Sequence, residues 1–256
     1  MSKLHLFGDS YTEGHLRQFG YHEYDNWKQY RNKDLPLCWG DLLSSKLNMT
    51  MSNYAIAGMS NTEIFQTLCR HSDEFEKGDI VIIGWTYSQR FRWAYWDEGD
   101  KTYKWKRLSP NIETDNIILE QTRIDITLNK ILPPQIDEIY NYEKLIIEYS
   151  KSKKFQVFFW SADTDIINNL PTEKLINKNY LLHHEINDLP SNILAPNNRF
   201  SRAEFKRTIF DVFFNHGGTT IFDETNGEVK DGHLGENGHL VQYELFYKYI
   251  TKNNLI

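Results

Sequence analysis

Two stretches of this 256-residue chain, Asp79–Trp85 (DIVIIGW) and Phe155–Ser161 (FQVFFWS), are nearly continuous apolar runs of strand length. A strand reads this way when both of its faces are covered, which is the usual condition of a parallel sheet. Three shorter stretches, Lys3–Gly8, Thr50–Ala55 and Thr219–Phe222, have the same character. Helical patterns fall between them at Leu37–Leu47, Asn61–Cys69, Ser201–Phe214 and Glu236–Lys252. A longer one runs from Asp115 to Ser152 and is interrupted at Pro133-Pro134, since proline removes an N–H and clashes with the preceding turn. Ser60 with Glu63, and Ser201 with Glu204, have capping-box spacing at two helix starts. Strands alternating with helices predict βαβ units: an α/β chain with a parallel sheet of about five strands, helices on both faces, and hence a three-layer α/β/α sandwich.

One domain over residues 1–256 is the simplest organisation for this length. Three polar stretches read as insertions, near residues 11–36, 90–110 and 163–199, the first two rich in aromatic residues. In the second, DEGD reads as a turn between two aromatic arms. The net charge of −6 is mild and predicts neither a nucleic-acid nor an anionic-membrane partner. No apolar run approaches the roughly 18 residues of a membrane span, and the start of the chain lacks the pattern of a signal peptide. These features predict a cytoplasmic protein, and the many Lys, Asn and Ile residues point to an AT-rich, bacterial or viral genome. Cys38 and Cys69 read as two buried free thiols.

In open parallel sheets, ligands bind beyond the carboxyl ends of the strands. The suggestive residues fall there: Gly8, Asp9 and Ser10 after the first strand, Gly58 and Asn61 after the second, Thr86, Ser88 and Arg90 after the third, and Asp231 with His233 beyond the last. Ser10 is a weak nucleophile without an adjacent base, and His233 supplies one. In an extended segment residues two apart share a side, so the Asp231 carboxylate is able to reach the Nδ1–H of His233 and leave Nε2 for Ser10. His239 is a rival base, but its place early in a helix favours a structural role. His183-His184-Glu185 makes a poor metal site, because adjacent helical side chains diverge by about 100°. No zinc spacing and no phosphate-binding glycine loop is present, so neither a metal nor a cofactor is expected.

Gly8-Asp9-Ser10-Tyr11-Thr12, Gly58 within NYAIAGMSN, and Asp231 with His233 within DGHLGENGH occur in the order found in the SGNH hydrolase superfamily, the GDSL-type esterases and lipases, which this chain resembles. The resemblance implies a flavodoxin-like fold and a Ser10–His233–Asp231 triad acting on an acyl ester. It also implies an oxyanion hole formed by the backbone N–H groups of Ser10 and Gly58 and an Asn side chain of a third block. That block departs from the pattern: the family has Gly-x-Asn where this chain has Gly84-Trp85-Thr86. Thr86 donates one hydrogen bond with a shorter reach, and Asn61, Ser88 or Arg90 is the alternative donor. Arg90 is also able to clamp an anionic substrate group.

Two readings of function follow. In the first, the chain is an ester hydrolase acting on a small-molecule or carbohydrate ester, with removal of O-acetyl groups one form of it; acyl transfer shares the same first half. In the second, it is a binding or structural module of the same fold with little activity, supported by Thr86 in place of Asn.

Overall fold

A computed structural model describes residues 2–14, 38–87, 90–108, 119–121, 123–124, 135–161, 180–182, 209–227 and 232–252. Among the described residues the strands are β1 (Lys3–Phe7), β2 (Thr50–Asn53), β3 (Ile80–Trp85), β4 (Phe91–Asp97), β5 (Thr102–Leu108) and β6 (Gln156–Ser161). The helices are α1 (Ser10–Glu13), α2 (Trp39–Leu47), α3 (Asn61–Arg70), α4 (Gln135–Lys153), α5 (Ile209–Asn215), α6 (Ile221–Glu224) and α7 (Glu236–Lys252). Among the described residues the central sheet is four-stranded and parallel, in the order β2-β1-β3-β6. β4 and β5 form a separate antiparallel hairpin.

Every residue of β3 is buried, as its apolar run predicts. The register Leu4↔Ile80 and Leu6↔Ile82 places these side chains on one face, and His5↔Val81 with Phe7↔Ile83 on the other. On the first face, Trp39 of α2 and Phe246 of α7 meet Trp160 of β6, with ring centroids 5.2–6.4 Å apart. On the second, His5 and Phe7 meet Tyr54 and Phe75, and Trp85 reaches Glu143 of α4. Helix α3 starts as its capping box predicts: the Glu63 amide donates to Ser60 Oγ, and the Ser60 amide donates to the Glu63 carboxylate. Helix α4 is described from Gln135, and the interruption expected at Pro133-Pro134 lies outside the described residues.

The structure corrects the expectation of a fifth strand at Thr219–Phe222. Thr220 makes one isolated antiparallel bridge, to Leu234, and Ile221 opens α6. The reason is local. Thr220 and Asp223 form a reciprocal capping box, and a satisfied helix start competes with extension of the strand. The polar stretch after residue 90 is the β4–β5 hairpin, with residues 98–101 in its turn. Of the two free thiols, Cys38 is buried as expected, and Cys69 is exposed on α3. Much of the other two insertions, and the start of the Ser201–Phe214 helix, lies outside the described residues. No helix among the described residues is long and apolar enough to cross a membrane.

Glu143 is a carboxyl buried in this core, 1% exposed. Its Oε1 accepts from Trp85 Nε1 at 2.8 Å and from the Tyr180 hydroxyl, whereas Oε2 is buried with no hydrogen-bond partner among the described residues. Burial pushes its carboxyl up to about 8, against the two hydrogen bonds that favour the charged form. A carboxyl raised by folding stabilises the fold fully below its ordinary range, and that stabilisation is lost as pH rises through about 8. Glu143→Gln keeps the acceptor and removes the titration. Its melting temperature is therefore expected to gain on that of the wild type between pH 5 and pH 8, and a gap independent of pH contradicts this account.

Candidate active site

Gly8 and Asp9 turn the chain from β1 into α1. A side chain at Gly8 would place its Cβ 2.1 Å from Thr12 Oγ1, and one at Gly84 would approach the same atom to 2.4 Å. Glycine at both positions lets the buried Thr12 seat α1 against the ends of β1 and β3. Asp9, and not Ser10, is the N-cap: its Oδ1 accepts from the Tyr11 amide at 3.1 Å. Ser10 is therefore the first helical residue, where an amide has no partner within the helix.

The loop after β2 is fixed to the same turn. Ile56 N donates to Gly8 O at 3.2 Å, and Ala57 N donates to Glu13 Oε2 at 2.6 Å. Burial raises the Glu13 carboxyl above its usual range, and the Ala57 amide partly offsets this. Gly58 follows in the left-handed region, with φ of 77°, and is exposed.

His233 arrives from the far end of the chain, and its Nε2 lies 3.0 Å from Ser10 Oγ across 223 residues of sequence. Its backbone is clasped by the segment expected to be a strand: Ile221 N donates to His233 O at 3.0 Å, and Gly235 N donates to Thr219 O at 2.9 Å. Glu224 completes the clasp by accepting from the amides of Glu236 and Asn237, which open α7, and from the Thr219 hydroxyl. Burial raises the Glu224 carboxyl, with the two amides pulling the other way. The His233 ring packs on Tyr11 at 4.8 Å, and Tyr11 packs on Phe210 at the same distance. Burial, followed by the neighbouring Tyr87, pushes the Tyr11 phenol well above its ordinary range. Asp231, the expected partner of Nδ1, lies outside the described residues, as do Ser88, His183, His184 and Glu185. His239 is buried in α7.

The candidate oxyanion donors are disposed differently from one another. The Asn61 side chain is buried and clamps the backbone of Thr86: its Oδ1 accepts from Thr86 N at 2.8 Å and its Nδ2 donates to Thr86 O at 3.0 Å. The Thr86 hydroxyl lies 2.6 Å from Asp9 Oδ2 and 2.9 Å from Arg90 Nη1. A carboxylate only accepts and a guanidinium only donates, so the single hydroxyl proton of Thr86 is committed to Asp9. Thr86 therefore does not serve as the side-chain oxyanion donor in this arrangement. Arg90 Nη1 also pairs with Asp9 Oδ2 at 2.7 Å, and its guanidinium lies over the Tyr87 ring. Among the described residues no group of three His, Cys, Asp or Glu side chains is placed to hold a metal ion.

Glu13, Tyr11 and Glu224 contribute to this site without being singled out by the sequence pattern. Glu224 meets the amides of Glu236 and Asn237 from 12 and 13 residues away, so no local spacing signals it, although a carboxylate near a helix start is favoured by the unpaired amides. Glu224→Ala is expected to lower the unfolding free energy by about 1–2 kcal/mol, because it leaves two helix-start amides without their acceptor. An unchanged urea midpoint would show that the clasp contributes nothing to stability.

No protein-family model and no curated protein matches this chain, so the functional reading rests on its residues and their geometry.

Proposed function

We propose that the chain is a serine hydrolase of the SGNH/GDSL kind, with a flavodoxin-like α/β/α architecture, that cleaves an acyl ester through Ser10 and His233. The observation that carries this reading is the 3.0 Å separation of Ser10 Oγ and His233 Nε2. Hydrogen-bond distance between a hydroxyl and an imidazole is what general-base activation of a serine requires. Supporting it are the position of both groups beyond the carboxyl ends of parallel strands and the helices that pack on each face of the sheet.

In the proposed reaction, Ser10 Oγ attacks the ester carbonyl carbon while His233 Nε2 takes the hydroxyl proton. The carbonyl oxygen becomes an oxyanion, met by the backbone N–H groups of Ser10 and Gly58. The intermediate collapses, the alcohol leaves with the proton returned by His233, and an acyl ester remains on Ser10. Water, deprotonated by His233, then releases the acid and restores Ser10. Asp231 is assigned the orienting role on its position two residues before His233. A carbohydrate ester is the favoured substrate class, on the aromatic hairpin that begins one residue after Arg90.

One observation favours the second reading, a binding module with weak activity: the Thr86 hydroxyl is committed to Asp9. Loss of one oxyanion donor lowers turnover by about 10²–10³-fold. A fluorophosphonate probe separates the two readings. Under the hydrolase reading it labels the wild type, fails on Ser10→Ala, and reacts on the order of 10²–10⁴-fold more slowly with His233→Ala. A folded wild type that stays unlabelled would establish the binding module instead.

A further inference from the structure

We propose that Arg90 is a positioning residue for Ser10 that acts through Asp9 and ties the base of the β4–β5 hairpin to the nucleophile turn. The inference rests on the reading of Ser10 as the nucleophile. Arg90 immediately precedes β4. Its Nη1 carries two protons and has two acceptors at hand, Asp9 Oδ2 at 2.7 Å and Thr86 Oγ1 at 2.9 Å. The Thr86 hydroxyl in turn donates to Asp9 Oδ2 at 2.6 Å. The three groups thus close a ring of hydrogen bonds whose directions are all forced by donor and acceptor chemistry.

The other oxygen of Asp9 accepts from the Tyr11 amide at 3.1 Å. The guanidinium fixes the carboxylate, the carboxylate fixes the amide one residue beyond Ser10, and Ser10 is held between the two. Asp9 and Thr86 are 2% and 0% exposed, so these bonds lie in a low-dielectric setting where each is strong and a lost partner is costly. Removing the cation leaves a buried carboxylate seeking other donors, and the turn that carries Ser10 shifts with it. This role differs from that of an oxyanion donor or a clamp on an anionic substrate, since it runs through Asp9 and needs no contact with substrate.

The test is the second-order rate at which a fluorophosphonate labels Ser10. In that reaction the Ser10 Oγ–P bond forms, the P–F bond breaks, fluoride leaves and the hydroxyl proton passes to His233. Arg90→Gln is expected to slow labelling by on the order of 10- to 10²-fold, the effect of a small displacement of a reacting group. Arg90→Lys falls between it and the wild type, and millimolar methylguanidinium restores part of the rate to Arg90→Gln. The double variant Asp9→Asn/Arg90→Gln is expected to be no slower than Asp9→Asn alone, because the two act in one chain of contacts. Should Arg90→Gln melt below the assay temperature, Arg90→Lys carries the test: it keeps a cation, lacks the fork that meets Asp9 and Thr86 together, and is expected to slow labelling several-fold. A labelled wild type with Arg90→Gln, or failing that Arg90→Lys, reacting at its rate overturns the positioning role alone. Losses that simply multiply in the double variant, with no rescue by methylguanidinium, overturn it as well. A wild type that is not labelled overturns the hydrolase reading and this inference together.

Discussion

Burial of β3 on both faces, with β1 paired along it in parallel, is the constraint from which the site follows. Parallel pairing sends every strand's carboxyl end to the same edge of the sheet, so the loops after β1, β2 and β3 emerge side by side. What remains is to hold three loops in register to fractions of an ångström. The chain does this with polar groups taken out of water. Glu13 holds the Ala57 amide, Asn61 holds the backbone of Thr86, and Asp9 holds Tyr11, Thr86 and Arg90. A buried acceptor with no donor costs about 1–3 kcal/mol, so each clasp specifies one arrangement against its neighbours.

Commitment of these groups limits what they do chemically. The hydroxyl of Thr86 cannot serve both Asp9 and an oxyanion with one proton, and Asn61 has its Oδ1 and one of its two Nδ2 protons engaged with the Thr86 backbone. The proposed oxyanion site rests on backbone amides: Ser10, at the first position of α1, and Gly58, whose left-handed backbone presents a turn amide. Backbone donors are set by the fold itself, which places the demand for precision on the turn geometry and so on Asp9 and Arg90.

The parallel sheet was legible because DIVIIGW and FQVFFW have no polar face, and the helix start at Asn61 because Ser60 and Glu63 have capping spacing. The pairing of Ser10 with His233 was legible as an expectation from residue types and order, and Ser10 Oγ lies 3.0 Å from His233 Nε2. Thr219–Phe222 misled, since a short apolar run reads equally as strand or helix, and the capping box of Thr220 with Asp223 decided the outcome. Its use as a clasp on the His233 backbone depends on tertiary pairing with Leu234, which leaves no local pattern. The ring of Asp9, Thr86 and Arg90 was hidden for the same reason. Each residue was suggestive alone, but the partner of Arg90 lies 81 positions away, and only the sheet brings them together.

The central claim is that the Ser10 hydroxyl donates to an unprotonated His233 Nε2. Histidine-selective nitrogen NMR tests it directly, with His233 assigned by substitution. The account predicts that, at neutral to mildly alkaline pH, Nε2 of His233 is the proton-free ring nitrogen and shifts in Ser10→Ala, while the other histidines are unmoved. A proton resident on Nε2, or a His233 signal indifferent to Ser10→Ala, would contradict it.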